Sequence, residues 1–275
     1  MTEEELLEII QQSAEDHVTS LDLSWNDLTK LPPEIGQLTH LKELDLMGNQ
    51  LSTLPSEIGQ LTHLKELNLC DNQLSVLPPE MCQLDHLTTV SISSNQLSAL
   101  PLEICQLPNL TWLNLTENQL NTLPPEIRQL THLTAVSISS NQLSALPLEI
   151  CHLPNLTWLN CDDNQLSKLP PEIEQIINLT VLSISSNQLS TLPPQIGQLT
   201  HLTRLNLCDN QLSTLPPEIG NLTNLKVLNL KENPEKWWED GLYIGGNPLT
   251  SPPPEILNQG IDATLAYLRE QLHSE

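Results

Sequence analysis

Asparagine recurs in this chain every 23 residues, and this interval constrains the fold more than any other feature of the sequence. The series has ten members: Asn26, Asn49, Asn72, Asn95, Asn118, Asn141, Asn164, Asn187, Asn210 and Asn233. A constant interval of this length is typical of repeat architectures, in which no unit can bury its apolar side chains alone. The sequence therefore predicts a stack of similar coils around one continuous core.

One repeat, LKELDLMGNQLSTLPSEIGQLTH, shows how each coil is built. Leu44 and Leu46 alternate with Asp45, which is the two-residue period of a strand with one buried face. The following NQLSTLP turns the chain, and its proline favours an extended return and excludes a regular helix there. The asparagine amide both donates and accepts hydrogen bonds, so we interpret its column as structural, bonding the backbone of adjoining coils.

The motif L-x-x-L-x-L-x-x-N-x-L-x-x-L-P resembles the leucine-rich repeat family over roughly Val18 to Leu249. The resemblance implies an α/β solenoid, a right-handed superhelix with a parallel β-sheet on its concave face. The convex side would be mostly irregular or extended. We divide the chain into an N-terminal capping helix (1–17), an array of about ten 23-residue repeats (18–233), an irregular final repeat or insertion (234–249) and a C-terminal cap with a helix (250–275).

Both caps are predicted from helical patterns. Thr2 and Glu5 have capping-box spacing, and an apolar stripe of Leu6, Ile9 and Ile10 follows. The C-terminal stripe consists of Ile261, Leu265, Leu268 and Leu272. Only 14 residues separate Asn233 from Asn247, too few for a full coil, so we expect an irregular segment whose aromatic residues pack the end of the core: Trp237, Trp238 and Tyr243.

The charge of the chain argues against several classes of partner. With 34 acidic and 10 basic residues, the net charge of −24 argues against nucleic acid and anionic membrane as partners. A glutamate column on the return side is either a solvated edge or a site for a basic partner or loosely held cations: Glu34, Glu57, Glu80, Glu103, Glu126, Glu149, Glu172 and Glu218. The sequence shows no signal-peptide pattern and no long apolar run, so we expect a cytoplasmic protein.

No catalytic, cofactor or metal site is predicted. The six cysteines lie inside the repeat; Cys82 and Cys105 share a column and are close enough to be bridged, although we expect free thiols. Histidines alternate with Asn in one column, which favours a hydrogen-bonding role over metal ligation. No phosphate-binding loop, nucleophile elbow or H-E-x-x-H helix is present.

The inward face of the strands remains for function. Its most varied row is Ser20, Glu43, Glu66, Thr89, Trp112, Ala135, Trp158, Val181, Arg204 and Val227. Two repeats separate Trp112 from Trp158, about 10 Å at the usual strand spacing, so we expect them to wall a shallow slot over Ala135. Acidic neighbours would favour a basic or polar peptide. We predict a partner-binding site at Trp112, Trp158, Asp71, Glu117, Asp162, Asp163, Arg204 and Asp209.

An alternative explanation for the tryptophan pair is duplication of a two-repeat block that ends in LPNLTWLN. Duplication would copy one tryptophan without any role in binding.

These observations favour a non-catalytic module that binds a protein or peptide on its concave face. A second function comes from resemblance: MTEEELLEII and GNPLTSPPPEILNQGIDATLAYLREQL are similar to the repeat regions of bacterial and cyanobacterial Roco-type proteins. That similarity implies recognition or regulation beside a Ras-like GTPase domain, or a stand-alone relative. A repeat-bearing effector enzyme would need a separate catalytic domain, and about 25 residues beyond the repeats cannot supply one.

Overall fold

The computed structural model describes residues 1–231 and 239–272. The chain divides into two compact units, Met1–Val136 and Ser137–Glu275. The predictions for Asn233, Trp237 and Trp238 lie outside the described residues. Within the described ranges, no helix combines the length and apolar character that crossing a membrane requires.

The first unit begins with helix α1 (Glu3–Glu15) and continues as a parallel sheet. Its strands are β1 (Ser20–Asp22), β2 (Glu43–Asp45), β3 (Glu66–Asn68), β4 (Thr89–Ser91) and β5 (Trp112–Asn114), and β6 (Ala135–Ser137) starts at its end. Paired residues are 23 apart, as in Leu44 with Leu67. The return segments form short 3₁₀ helices at Pro33–Gln37, Ser56–Gln60, Pro79–Gln83, Leu102–Gln106 and Pro125–Gln129.

The second unit repeats this plan with one change of strand order. It contains β7 (Trp158–Asn160), β8 (Val181–Ser183), β9 (Arg204–Asn206), β10 (Leu228–Asn229), β11 (Gly241–Tyr243), α2 (Pro254–Leu257) and α3 (Ile261–Leu272). Its 3₁₀ helices are Leu148–His152, Pro171–Gln175, Pro194–Gln198 and Pro217–Asn221. The strands are ordered β7-β8-β9-β11-β10, so β11 lies between β9 and β10. The segment expected to be irregular therefore contributes a regular strand.

Asparagine side chains join the coils within each unit. In the first unit, Asn72 Oδ1 accepts from Leu51 N at 3.0 Å, and its Nδ2 donates to Leu46 O at 2.9 Å. In the second unit, Asn247 makes the equivalent bonds to Leu212 N at 3.1 Å and Leu207 O at 2.8 Å. A buried N–H left without a partner costs about 1–3 kcal/mol, so these amides complete the backbone pairing of the stack.

Each unit carries a helical cap. In α1 the capping box is confirmed: Thr2 N donates to Glu5 Oε2 at 2.7 Å, and Glu5 N donates to Thr2 Oγ1 at 3.2 Å. In the second unit α3 packs closely on the last 3₁₀ helix, where a Cβ on Gly220 would lie 2.8 Å from Arg269 N. Parallel strands, short turns on the return side and these helices confirm the predicted solenoid.

Candidate functional site

Each strand divides its side chains between the core and solvent. In β2, Glu43 is exposed, Leu44 is buried and Asp45 is half-buried, because successive side chains of a strand point to opposite faces. We call the solvent side of the strands in each unit its sheet face. Side chains there are held by a regular backbone, so their spacing follows the strand spacing.

The sheet face of the first unit contains a groove of about 420 Å³ lined by carboxylates. Its acidic side chains are Asp22, Glu43, Asp45 and Glu66, and no lysine or arginine lines it. We call these four residues the acidic groove.

Hydrogen bonds orient two of the groove carboxylates. Asp45 accepts from Met47 N at 2.9 Å and from Asn68 Nδ2 at 3.1 Å. Ser24 donates from its backbone N–H to Asp22 at 2.9 Å. Hydrogen bonding by the Ser24 side chain and then by its backbone holds the pKa of Asp22 below its ordinary value. Asp22 is therefore ionised at neutral pH.

Trp25 lies three residues beyond Asp22 and was not identified from the sequence. Its side chain is 68% exposed, and its backbone is left-handed with a φ of 57°. The indole lies against Gly48, whose φ is 67° and whose position leaves no room for a Cβ. Aligning the repeat positions would have found Trp25, because the first unit places other residues in its column: Gly48, Asp71, Ser94 and Glu117.

The two predicted tryptophans belong to different units, and each is described within its own. Trp112 begins β5 in the first unit and is 38% exposed. Trp158 begins β7 in the second unit and is half-buried. Both lie on a sheet face, and the slot expected between them stays a prediction.

Four of the predicted acidic residues occupy the left-handed turn after a strand: Asp71, Glu117, Asp163 and Asp209. This turn follows the tryptophan row by five residues, so the two rows lie up to about 16 Å apart along the strand. Glu117 also accepts a hydrogen bond from Ser94 Oγ at 2.9 Å. The acidic residues of this row lie in the turns that follow the strands, and their expected place around the tryptophans stays a prediction.

Asp162 is bound within the second unit. Its carboxylate accepts from Ser183 Oγ at 2.7 and 2.8 Å and from Ser185 N at 2.6 Å. Burial still raises the pKa of Asp162, because desolvation outweighs these hydrogen bonds. The side chain therefore contributes to a local polar network.

Arg204 is also engaged inside the second unit. Its Nε donates to Glu239 O at 3.0 Å, and its guanidinium lies 3.7 Å from Asp240 Oδ1. The Arg204 side chain is only 16% exposed. These contacts fasten the segment before β11, a role that the repeat pattern did not indicate.

The cysteine side chains lie within the repeats, and so do those of His63 and His86. All six cysteines are unpaired, including Cys82 and Cys105. Burial raises the pKa of the Cys105 and Cys151 thiols to about 12, so they are protonated and unreactive. His63 and His86 each place Nδ1 on a carbonyl 24 residues earlier, at 2.9 and 2.8 Å. Within residues 1–231 and 239–272, no three metal-ligating side chains converge.

Comparison with known families identifies the repeat. The profile described as "Leucine rich repeat" matches residues 16–74, 62–120, 85–143, 108–166 and 177–234. A second profile, "Leucine Rich repeats (2 copies)", matches residues 154–197. No curated protein matches the chain.

Solved structures similar to the chain include the following two. One is the plant peptide hormone receptor RGFR1 in complex with RGF2, with 34% identity, a TM-score of 0.66, and coverage of 80% of this chain and 34% of that one. The other is the functional domain of InlJ from Listeria monocytogenes, which includes a cysteine ladder, with 27% identity, a TM-score of 0.59, and coverage of 83% and 53%. The chain thus spans about a third of the first protein and about half of the second.

Proposed function

This chain belongs to the leucine-rich repeat family, and on that premise we propose that it is a non-catalytic interaction module that binds a basic segment of a protein or peptide. The binding surface is the sheet face, the concave face of the expected solenoid. The acidic groove of the first unit supplies its main contact.

The acidic groove is the observation that carries this proposal. Four carboxylates line a groove of about 420 Å³ on the sheet face, and no lysine or arginine lines that groove. Exposed like charges repel one another, and a basic segment would relieve that repulsion while accelerating its own association. A net charge of −24 adds to this attraction and disfavours nucleic acid and anionic membrane as partners.

Exposed aromatic side chains supply the apolar part of the contact. Trp25 is 68% exposed at the end of β1, and Trp112 is 38% exposed at the start of β5. Arginine and lysine stack on indole faces, so both tryptophans suit a basic ligand. Trp158 is proposed as a corresponding contact in the second unit, together with the acidic residues of the strand ends.

The solved neighbours support a binding role. RGFR1 is a peptide hormone receptor solved in complex with RGF2. Its sequence is 34% identical to this chain over the 80% of the chain that the match covers. We extend only the general role, binding of a protein or peptide, to this chain. The acidic groove then specifies the basic character of the ligand.

The test is fluorescence polarisation with a labelled, lysine- and arginine-rich peptide and an acidic peptide of equal length. The binding variant is Glu43→Gln with Glu66→Gln, and the control is Glu34→Gln with Glu57→Gln, which removes the same charge from the return side. Losing two exposed carboxylates costs about 1 kcal/mol, so Kd should rise about fivefold at low salt. The control variant should bind as the unchanged chain does.

Two single variants, Trp25→Ala and Trp112→Ala, test the aromatic contacts in the same assay, with circular dichroism to check folding. Each substitution should weaken binding of the basic peptide at least threefold, which corresponds to about 0.7 kcal/mol. Equal affinity of the acidic peptide, or equal loss in both glutamate variants, would reject the acidic groove as the binding site.

A regulatory role beside a Roco-type GTPase domain is a second candidate, which rests on the similarity of the sequences at 1–10 and 246–272. Intact mass of the protein from its natural source would show whether a GTPase domain is attached. We also place the protein in the cytoplasm, where six unpaired thiols are stable. Fractionation of source cells tests that location.

A further inference from the structure

Two segments of the second unit carry the same repeat motif. Residues 225–231 read LKVLNLK and residues 241–247 read GLYIGGN, and both place apolar residues at the core positions of a coil. If the 23-residue interval continued without interruption, Leu228 would pair with Leu205 of β9. Instead, Leu242 pairs with Leu205, and Leu228 pairs with Leu242 from outside.

The displaced strand keeps unsatisfied apolar side chains. Leu205 and Leu207 of the preceding coil are fully buried, whereas Leu230, in the column of Leu207, is 42% exposed. Leu228 is only half-buried. Burial of Leu228 and Leu230 would favour the order in which β10 pairs with β9.

Side-chain bonds hold β11 in its place. Thr203 Oγ1 donates to Asp240 Oδ1 at 2.9 Å and so joins the β9 coil to the segment before β11, whereas Tyr243 Oη donates to Glu239 O at 2.7 Å within that segment. Arg204 donates to that same Glu239 carbonyl at 3.0 Å. We call Thr203, Arg204, Glu239 and Asp240 the latch. A Cβ on Gly241 would lie 2.7 Å from Val227 O, so β11 also needs glycine at the start of its strand.

We propose that β10 and β11 compete for the place beside β9, and that the latch selects β11. Exchange to the order β9-β10-β11 buries Leu228 and Leu230 and moves Tyr243 to the outer strand. It also breaks the contacts of Arg204 with Glu239 and Asp240 and the bonds of Asn247 to the β9 coil. The sheet face at this end of the second unit therefore has two arrangements, and any ligand that prefers one of them shifts the balance.

Disulfide trapping tests the exchange. In a Cys208→Ser background, Asn206→Cys with Tyr243→Cys joins neighbours of the observed order, because residues 206 and 243 are paired. Asn206→Cys with Asn229→Cys joins residues two strands apart, at about 9.6 Å, beyond the reach of a disulfide. Mild oxidation followed by mass spectrometry of tryptic fragments measures both rates.

The second disulfide should form, more slowly than the first. Arg204→Ala should accelerate its formation at least fivefold, and Thr203→Val, which removes the bond to Asp240 and keeps a side chain of similar shape, should also accelerate it. Arg128→Ala in the first unit is the control and should have no effect. Absence of the 206–229 disulfide, or a rate that neither latch variant changes in a chain folded by circular dichroism, would overturn the proposal.

Discussion

Replacing Asn95 by alanine tests the interpretation that buried amides hold the coils of the first unit together. Asn95 Oδ1 accepts from Leu74 N at 2.9 Å, and Nδ2 donates to Leu69 O at 2.9 Å and Ser93 O at 3.0 Å. The side chain itself is only 7% exposed, so water does not replace these bonds without cost.

The expected loss follows from these contacts. An unpaired buried N–H costs about 1–3 kcal/mol, and the two carbonyls each lose a bond worth about 0.5–1.5 kcal/mol. Asn95→Ala should therefore lower the free energy of unfolding by about 2–6 kcal/mol. Urea titration followed by circular dichroism measures this change, and hydrogen exchange should show the Leu74 amide losing protection.

Gln96→Ala is the matched control, because Gln96 is the exposed next residue and its backbone bond to Leu74 O at 2.9 Å is retained. It should change stability by less than about 0.5 kcal/mol. A loss below about 1 kcal/mol for Asn95→Ala, or an equal loss for Gln96→Ala, would refute the structural interpretation of the asparagine column.

Three further changes have defined outcomes. Gly48→Ala should destabilise the first unit by about 1–2 kcal/mol and shift the fluorescence of Trp25. The left-handed backbone disfavours a Cβ, and the Trp25 indole occupies the space that this Cβ would need. The control, Ser94→Ala, should change neither stability nor fluorescence. Cys105 and Cys151 should resist a thiol reagent at pH 8 until urea unfolds the chain, because burial raises their pKa to about 12; rapid labelling of the folded chain would contradict this. Asp162 has a raised folded pKa, so it binds its proton more tightly when folded and its contribution to stability falls as pH rises through that pKa. Urea titrations at pH 4.5 and pH 7 should therefore show a smaller loss of stability over this range for Asp162→Asn than for the unchanged chain, and identical losses would reject the effect.

Periodicity predicts the fold because the repeat leaves few alternatives. A strand-forming alternation, a proline-fixed return and a buried amide recur together, and each requires a neighbouring coil to be satisfied. The helical caps were also predicted, since Thr2 and Glu5 form their capping box within one turn. Such features depend on residues close in sequence.

Features that depend on competition between distant segments could not be predicted in the same way. The sequence places LKVLNLK in phase with the array, yet β11 pairs with β9, because the latch and Asn247 stabilise the later segment. Arg204 resembled an exposed charge until its contact with Glu239 was visible. Trp25 is distinguished from the other repeats only at its own column, where Gly48, Asp71, Ser94 and Glu117 stand in the rest of the first unit.

The left-handed turn that follows each of the strands β1 to β5 has a consequence for changing the specificity of this protein. In the first unit, Trp25, Asp71, Ser94 and Glu117 share this conformation, and the backbone N–H groups of Asp71 and Ser94 bond to the next coil whatever side chain they carry. The stack thus holds this conformation in spite of its cost, and the column carries tryptophan, acidic and serine side chains. From Trp25 to Glu117 the row spans about 19 Å at the usual strand spacing. Substitutions in this row would therefore change the recognition surface one coil at a time.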